Sequence, residues 1–211
     1  MKYIGMPHLM WAMFNKSFKK QLVETFNESI HSSKEITKLA KKKYKKIIKE
    51  LPVFDKKDMF LKIAINCCLL ISFLLSVESL PGLDEVTLFY RRAMSTKTMK
   101  IFSKLKGKKI FKKNMIKKLE EVSKARYGDK NSCSWNFDLI PYPNSSGYER
   151  RFYKCGVCTL MKKYGLSAYT KALCRYDYDM ATLCGTYKFV RKDALSNGAP
   201  YCDNGFVKIN Q

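Results

Sequence analysis

Apolar residues recur every three or four positions along residues 1–125, a spacing that predicts a series of helices. The second predicted helix begins at Ser32, where Glu35 completes a capping box three residues on, and it stops at Pro52. The first predicted helix covers 7–30, and its apolar face is expected to contain Leu9, Met13, Leu22 and Phe26.

The most apolar stretch of the chain is the run at 63–77. Its length of about fifteen residues is short for a membrane span, which needs roughly twenty. The run therefore predicts a buried core helix near 57–79. Two further helices are expected over 84–105 and 110–126, separated by Gly107.

After residue 130 the pattern changes to alternation of apolar and polar positions, which is typical of half-buried strands. Paired strands with helices inserted between the pairs predict an α+β fold. A helical N-terminal half, residues 1–130, would pack with a small antiparallel sheet and its inserted helices in residues 131–211, together forming one compact domain. The predicted strands lie near 135–141, 148–155, 186–192 and 205–210, and the inserted helices near 155–164 and 168–183.

Composition narrows the class of protein. Hydrophobic residues make up 46% of the chain, enough for a core. The first residues show no secretory signal, which predicts a cytoplasmic protein whose eight cysteines are reduced and available for metal binding or catalysis. The net charge of +23 comes mainly from lysines on helical faces, and no DNA-reading motif is present. We therefore expect no specific nucleic-acid partner and no membrane span.

Cysteine and aspartate form the most informative pattern in the last third of the chain. Cys155 and Cys158 form a C-x-x-C pair, which would suit a zinc site shared with Cys174 and Cys202, a redox pair, or simple helix packing. No second tight C-x-x-C follows. In a helix, Cys174 and Asp177 share a face because they are three residues apart. Near the chain end, Cys202 stands next to Asp203.

These motifs occur in an order that resembles the L-2-amino-thiazoline-4-carboxylic acid hydrolase family. The resemblance covers about 60 residues, from "ERRFYKC" to "CDNGFVKI". Two departures stand out: Asn204 takes the place of an aromatic residue, and "KDAL" follows the strand arginine. The positions that carry the resemblance are Cys155, Gly165 with Leu166, Cys174, Asp177, Arg191, Gly198, Cys202, Asp203 and Phe206.

The resemblance implies a hydrolase that opens a cyclic thiazoline carboxylate at an amidine-like carbon and releases a carbamoyl-cysteine-like product. Such a reaction needs an activated nucleophile, a proton donor and a cation for the substrate carboxylate. Cys202 or Cys174 would be the nucleophile. Asp177 and Asp203 would hold the amidine nitrogens or move protons. The carboxylate would bind Arg191 or Arg151, because guanidinium binds carboxylate bidentately.

A metal is the alternative activator, because the two histidines, His8 and His31, both lie in the lysine-rich half. A divalent ion such as zinc would then be held by Cys155, Cys174 and Cys202. Two other classes of function stay open. One is a non-catalytic relative that binds a small ligand or zinc. The other is a basic protein whose face at 41–49 meets an acidic partner.

Overall fold

The computed structural model describes residue 3 and residues 5–55 and 58–209, and it confirms the α+β class. These residues contain eight α-helices and one four-stranded antiparallel sheet. The helices are α1 Met6–Glu24, α2 Ile30–Glu50, α3 Leu61–Leu74, α4 Leu83–Met94, α5 Lys97–Gly107, α6 Lys113–Arg126, α7 Gly156–Lys163 and α8 Thr170–Cys184. The strands are β1 Asn136–Pro141, β2 Gly147–Lys154, β3 Tyr187–Val190 and β4 Cys202–Lys208.

The chain forms two compact units, and each is assembled from separated segments. The first unit comprises Met1–Thr96, Asn131–Cys133 and Val157–Leu173. The second unit comprises Lys97–Lys130, Ser134–Gly156 and Cys174–Gln211. Every candidate residue of the Cys/Asp pattern except Cys158 belongs to the second unit.

The first unit is a helical bundle around α3. Every described α3 residue from Cys67 to Leu74 is buried, as expected for the predicted core helix. The Phe18 and Phe73 rings stack at 4.8 Å between centroids, and Phe89 meets Phe18 edge-on at 5.3 Å. Of the predicted range near 57–79, Lys57 lies outside the described residues. Among the described residues, no helix is long and apolar enough to cross a membrane.

Four local predictions in the helical half are corrected. Helix α1 ends at Glu24 and not at residue 30. Leu9 is exposed, and α1 instead buries Trp11, Phe14 and Phe18. The N-cap of α2 is Ser29, whose hydroxyl accepts the Ser32 N–H at 3.0 Å, so the helix begins before the predicted capping box.

The predicted helix over 84–105 is two helices, α4 and α5. Ser95 leaves helical geometry with ψ at 47°, and its N–H caps the end of α4. The break coincides with the boundary of the two units, since the first unit's opening segment ends at Thr96.

The sheet of the second unit has the strand order β1-β2-β4-β3, with every neighbouring pair antiparallel. Helix α6 packs on β1, where the buried Ser123 hydroxyl donates to the Phe137 carbonyl at 2.7 Å. The central pair has a regular register in which Arg150 lies opposite Asn204 and Phe152 lies opposite Cys202. This register decides which side chains reach the candidate site.

Candidate functional site

Strand alternation sorts the candidate residues onto two faces of the sheet. Successive side chains of a strand point to opposite faces, so Cys202 and Asn204 share one face and Asp203 takes the other. Directly opposite residues on neighbouring strands share a face, so Arg150 joins the face of Cys202 and Asn204. The guanidinium of Arg150 accordingly lies over the Phe206 ring, 4.4 Å from its centroid.

Arg191 is the centre of the face that carries Cys202. Its side chain is only 7% exposed. Its Nε donates to Asn204 Oδ1 at 2.8 Å, one terminal nitrogen donates to the Cys174 carbonyl at 3.1 Å, and the other bonds to the Asp177 carboxylate. The guanidinium also lies 4.7 Å from the centroid of the Phe189 ring. This arginine therefore ties the end of β3 to β4 and to α8.

Helix α8 supplies Cys174 and Asp177, whose spacing of three residues puts them on one face. The Asp177 side chain is 46% exposed although its partner Arg191 is buried, so solvent reaches the carboxylate. Its removal from bulk water raises the pKa of the carboxyl, and the Arg191 charge opposes that rise. A carboxyl with a raised pKa, paired and open to solvent on one side, is suited to accept and return a proton.

The two thiols of the site are held in their neutral form. Burial raises the pKa of Cys174 to about 12, and burial also raises the pKa of Cys202. The Cys174 thiol donates to the Ser196 hydroxyl at 3.5 Å, and the Leu195 N–H donates to Cys202 Sγ at 3.1 Å. Both partners come from the loop between β3 and β4.

Cys155, at the end of β2, acts electrostatically on both of these thiols. A negative charge on Cys155 would raise the pKa of Cys174 and of Cys202, so the three sulfur atoms are within electrostatic range of one another. Within residues 5–55 and 58–209, however, no group of three or more His, Cys, Asp or Glu side chains has an arrangement that would hold a metal ion. A zinc site on Cys155, Cys174 and Cys202 stays a prediction.

Two predicted site residues lie apart from this group and have other partners. The Asp203 carboxylate accepts the backbone N–H of Lys192 at 3.0 Å and of Asp193 at 2.7 Å, and so fixes the start of the β3–β4 loop. Arg151 donates to Glu149 at 2.6 Å, and its guanidinium lies 4.8 Å from the centroid of the Tyr201 ring. Both belong to the face opposite Cys202.

Sequence reasoning missed three residues of the site: Arg150, Ser196 and Asn204. Arg150 has a buried Nε without a hydrogen-bond partner among the described residues. The alternation of β2 carried the signal for Arg150, because only one of two adjacent arginines can share a face with Cys202. Ser196 belongs to an irregular loop, where no periodicity points to it.

One comparison with known proteins gives a match. The sequence model of the family described as L-2-amino-thiazoline-4-carboxylic acid hydrolase matches residues 77–206. The matched segment contains every residue of the site, from Arg150 to Asn204. Searches of curated proteins and of solved structures give no significant match.

Proposed function

The chain belongs to the L-2-amino-thiazoline-4-carboxylic acid hydrolase family, and from this premise we propose that it hydrolyses a small cyclic amidine-like carboxylate of the thiazoline type. The observation that carries the proposal is the group formed by Asp177, Arg191 and Arg150 beside two neutral thiols. It offers a proton-transferring carboxyl and a cation with a buried, unpartnered nitrogen, which are the groups that ring opening requires.

In the proposed reaction Asp177 acts first as a general base. It takes a proton from water while the water oxygen bonds to the ring carbon that carries nitrogen and sulfur, which makes a tetrahedral centre. One ring bond of that carbon, to sulfur or to nitrogen, then breaks. The departing atom takes the proton back from Asp177, so the overall change is the addition of one water. The Arg191 charge keeps the carboxyl oriented and ionisable throughout.

Arg150 is the proposed partner of the substrate carboxylate. Arg191 already bonds to three groups of the protein, namely Asp177, Asn204 and the Cys174 carbonyl. A buried guanidinium nitrogen without a partner gains a charge-assisted hydrogen bond when a carboxylate arrives. The Phe206 ring beneath Arg150 holds the guanidinium plane in place.

The neutral thiols favour attack by water over attack by a cysteine. A thiolate is the reactive form of cysteine, and a pKa of about 12 leaves Cys174 protonated at neutral pH. We therefore assign Cys174 and Cys202 to shaping the site, with Cys174 held against Ser196 and Cys202 against the Leu195 N–H. An attack by either sulfur would require Asp177 to remove its proton first.

The test is a ring-opening assay with 2-amino-thiazoline-4-carboxylate and mass spectrometry of the product in isotopically labelled water. We expect turnover by the native chain and incorporation of one solvent oxygen. Asp177→Asn should lower kcat by about 10²–10⁴, the usual contribution of a general base. Asp179→Asn, two residues further along α8, is the matched control and should retain activity.

The cysteine variants distinguish attack by water from attack by a cysteine thiolate. Cys174→Ser and Cys202→Ser should each keep measurable turnover if water attacks directly. Abolition of turnover by one of them, with a covalent adduct on that sulfur in the native chain, would overturn the water mechanism. No turnover by the folded native chain, together with binding of the thiazoline by calorimetry, would show a ligand-binding relative instead of a hydrolase.

A further inference from the structure

Helix α5 exposes its large apolar side chains instead of burying them. Ile101 is 63% exposed, Phe102 45% and Leu105 58%, whereas the buried residues of the helix are Ser103 and Gly107. An amphipathic helix on a globular protein normally does the reverse, with its apolar stripe towards the core. Three large apolar side chains on one short helix need an explanation beyond chance exposure.

The exposed apolar residues and the buried small residues of α5 lie on opposite sides of the helix. At about 100° per residue, Ile101, Leu105 and Phe102 fall within a sector of roughly 100°. Ser103 and Gly107 lie on the opposite side of the helix axis. The apolar stripe therefore points away from the second unit, to which α5 belongs.

Close packing of the small residues fixes this orientation. The Ser103 hydroxyl lies 3.5 Å from Met180 Sδ, and the Cys184 thiol donates to the Ser103 carbonyl at 3.0 Å. A Cβ on Gly107 would lie only 2.7 Å from Thr186 Oγ1 and 3.0 Å from Cys184 Cβ. A rotation that buried Ile101 would drive a bulky side chain into this contact. The outward direction of the stripe is thus built into the packing of α5 on α8.

The charged side chains of the chain segment that carries the stripe are all positive. Residues 97–118 contain ten lysines, and residues 86–119 contain no Asp or Glu. On the helix itself, Lys97 and Lys104 flank one side of the apolar sector and Lys106 flanks the other. The next lysines, Lys108 and Lys109, follow directly and are exposed.

We propose that α5 and the lysines up to Lys118 form a surface that binds anionic lipid bilayers from one side, with Ile101, Phe102 and Leu105 inserted at the headgroup boundary. An interfacial helix combines an apolar stripe with a lysine-rich polar face. The lysines add attraction to the negative leaflet, which basic clusters on amphipathic helices provide. This inference does not rest on the proposed reaction, because the side chains that would insert, Ile101, Phe102 and Leu105, are not part of the candidate site. Lys106 of the same helix lies within electrostatic range of Asp177.

A nucleic acid is the competing polyanion, and the observations favour lipid. Phosphates would satisfy the lysines but offer no apolar medium to Ile101 and Leu105. Residues 93–125 also contain no arginine, the residue most suited to bidentate phosphate and base contacts. A bilayer accommodates both properties of the surface at once.

The test is co-sedimentation of the full chain with vesicles of phosphatidylcholine, with and without phosphatidylserine. We expect binding to the anionic vesicles that weakens as salt rises. The double variant Ile101→Ser with Leu105→Ser should weaken binding about tenfold or more, because two inserted side chains are lost. Lys104→Glu with Lys108→Glu should have an effect of similar size, roughly tenfold or more.

Matched controls carry the same changes at other exposed positions. Leu9→Ser with Ile30→Ser removes two exposed apolar side chains from the first unit. Lys45→Glu with Lys46→Glu reverses two exposed lysines of α2. Both controls should keep the affinity within about threefold of the native value, since insertion is local and charge effects fall off within a Debye length.

Three outcomes would overturn the proposal. The first is anionic-vesicle binding that survives the Ile101/Leu105 change in a chain of unchanged thermal midpoint. The second is absence of vesicle binding by the native chain together with tight, salt-sensitive binding of duplex RNA or DNA, which would make the surface a nucleic-acid site. The third is equal binding to neutral and anionic vesicles, which would leave the lysines without a role.

Discussion

At the scale of the residue, two adjacent arginines of β2 have opposite surroundings. Arg150 lies on the face of Cys202, over the Phe206 ring, with its Nε buried and unpartnered among the described residues. Arg151 lies on the other face, bound to Glu149. The difference arises because successive side chains of a strand point to opposite faces of the sheet. One step along the strand separates a guanidinium whose Nε lacks a partner among the described residues from one that is paired with Glu149.

We predict that Arg150→Ala raises KM for the thiazoline carboxylate by about 10- to 100-fold, the loss expected for one hydrogen bond between charged groups. The value of kcat should change much less, because the carboxylate is bound equally in the ground and transition states. Steady-state kinetics measure both constants. Arg151→Ala is the neighbouring control and should leave KM near its native value. A larger effect from Arg151→Ala would place the carboxylate on the opposite face.

The protonation state of Cys174 gives a second prediction at this scale. Burial raises its pKa from 9.0 to about 12, so its thiolate fraction at pH 8 is about a thousandfold below that of an ordinary cysteine. We expect alkylation of Cys174 by iodoacetamide, followed by peptide mass spectrometry, to stay slow from pH 6 to pH 9 and to keep rising above it. A rate that levels off above pH 7 would show a thiolate and would revive the cysteine nucleophile.

The raised pKa of Cys174 also makes the free energy of unfolding depend on pH. The folded chain holds the Cys174 proton more tightly than the unfolded chain does, so this contribution to the free energy of unfolding is fully present below pH 9. It is lost as the pH rises from 9 towards 12, where the unfolded chain ionises first.

At the scale of the element, the β3–β4 loop contacts residues on both faces of the sheet. Asp203 anchors the loop from one face through the N–H groups of Lys192 and Asp193. The same loop delivers Ser196 and the Leu195 N–H to the thiols on the other face. We therefore expect Asp203 to act on the site by positioning this loop, because its own carboxylate lies on the opposite face of the sheet.

We predict that Asp203→Asn lowers the free energy of unfolding by about 1–3 kcal/mol, because one of the two acceptor oxygens that serve the backbone N–H groups is replaced by a donor. Urea denaturation measures the change. Turnover should fall with an unaltered pH profile, since the residue positions other groups and does not transfer protons. Asn197→Ala, at the exposed tip of the same loop, should leave both quantities unchanged. A shifted pH profile in Asp203→Asn would assign Asp203 a direct part in proton transfer.

Local periodicity explains which elements could be predicted from the sequence. The core helix α3, the two helices after β2 and the first three strands follow from apolar spacing, a property of neighbouring residues. The fourth strand, predicted near 205–210, begins three residues earlier, at Cys202. The sequence predicts the N-cap of α2 at Ser32, whereas the observed N-cap is Ser29. Several neighbouring serines can cap a helix, and the local sequence does not choose among them. The sequence also predicts Leu9 on the buried face of α1, and this prediction is wrong. Apolar spacing identifies more than one possible apolar face on this helix, and only tertiary packing decides that the face with Trp11 and Phe14 is the buried one.

At the scale of the whole molecule, the assembly of each unit from separated segments lies beyond sequence reasoning. The pattern change near residue 130 predicted a helical region at 1–130 and an α+β region at 131–211. The two compact units divide the chain in another way: the second includes α5 and α6, and residues 157–173 belong to the first. The division at residue 130 stays a prediction. Which unit a segment joins depends on packing between residues that are far apart in the sequence. The Ser123 bond to the Phe137 carbonyl, which joins α6 to β1, is one example that no local pattern announces.

This arrangement yields a prediction about fragments. Residues 131–211 alone lack α6, whose Leu119 and Ser123 are buried in the native chain, and lack α5, which packs on the end of α8. Loss of these helices exposes Phe137 and the Ser103-binding surface of Cys184 and Met180 to water. The segment 157–173 also loses its partners in the first unit, such as Glu50, which accepts the Tyr164 hydroxyl at 2.8 Å. We expect a chain of residues 131–211 to show no cooperative thermal transition by circular dichroism.

The longer fragment 97–211 is the informative comparison, because it contains every segment of the second unit. We expect it to retain β-sheet signal and a cooperative transition at a lower midpoint than the full chain, since only its segments 131–133 and 157–173 lack their partners in the first unit. A cooperative transition in 131–211 that matches that of 97–211 would contradict the prediction. It would show that the sheet and its inserted helices are stable without α5 and α6, and that the pattern change near residue 130 marks an independent folding region.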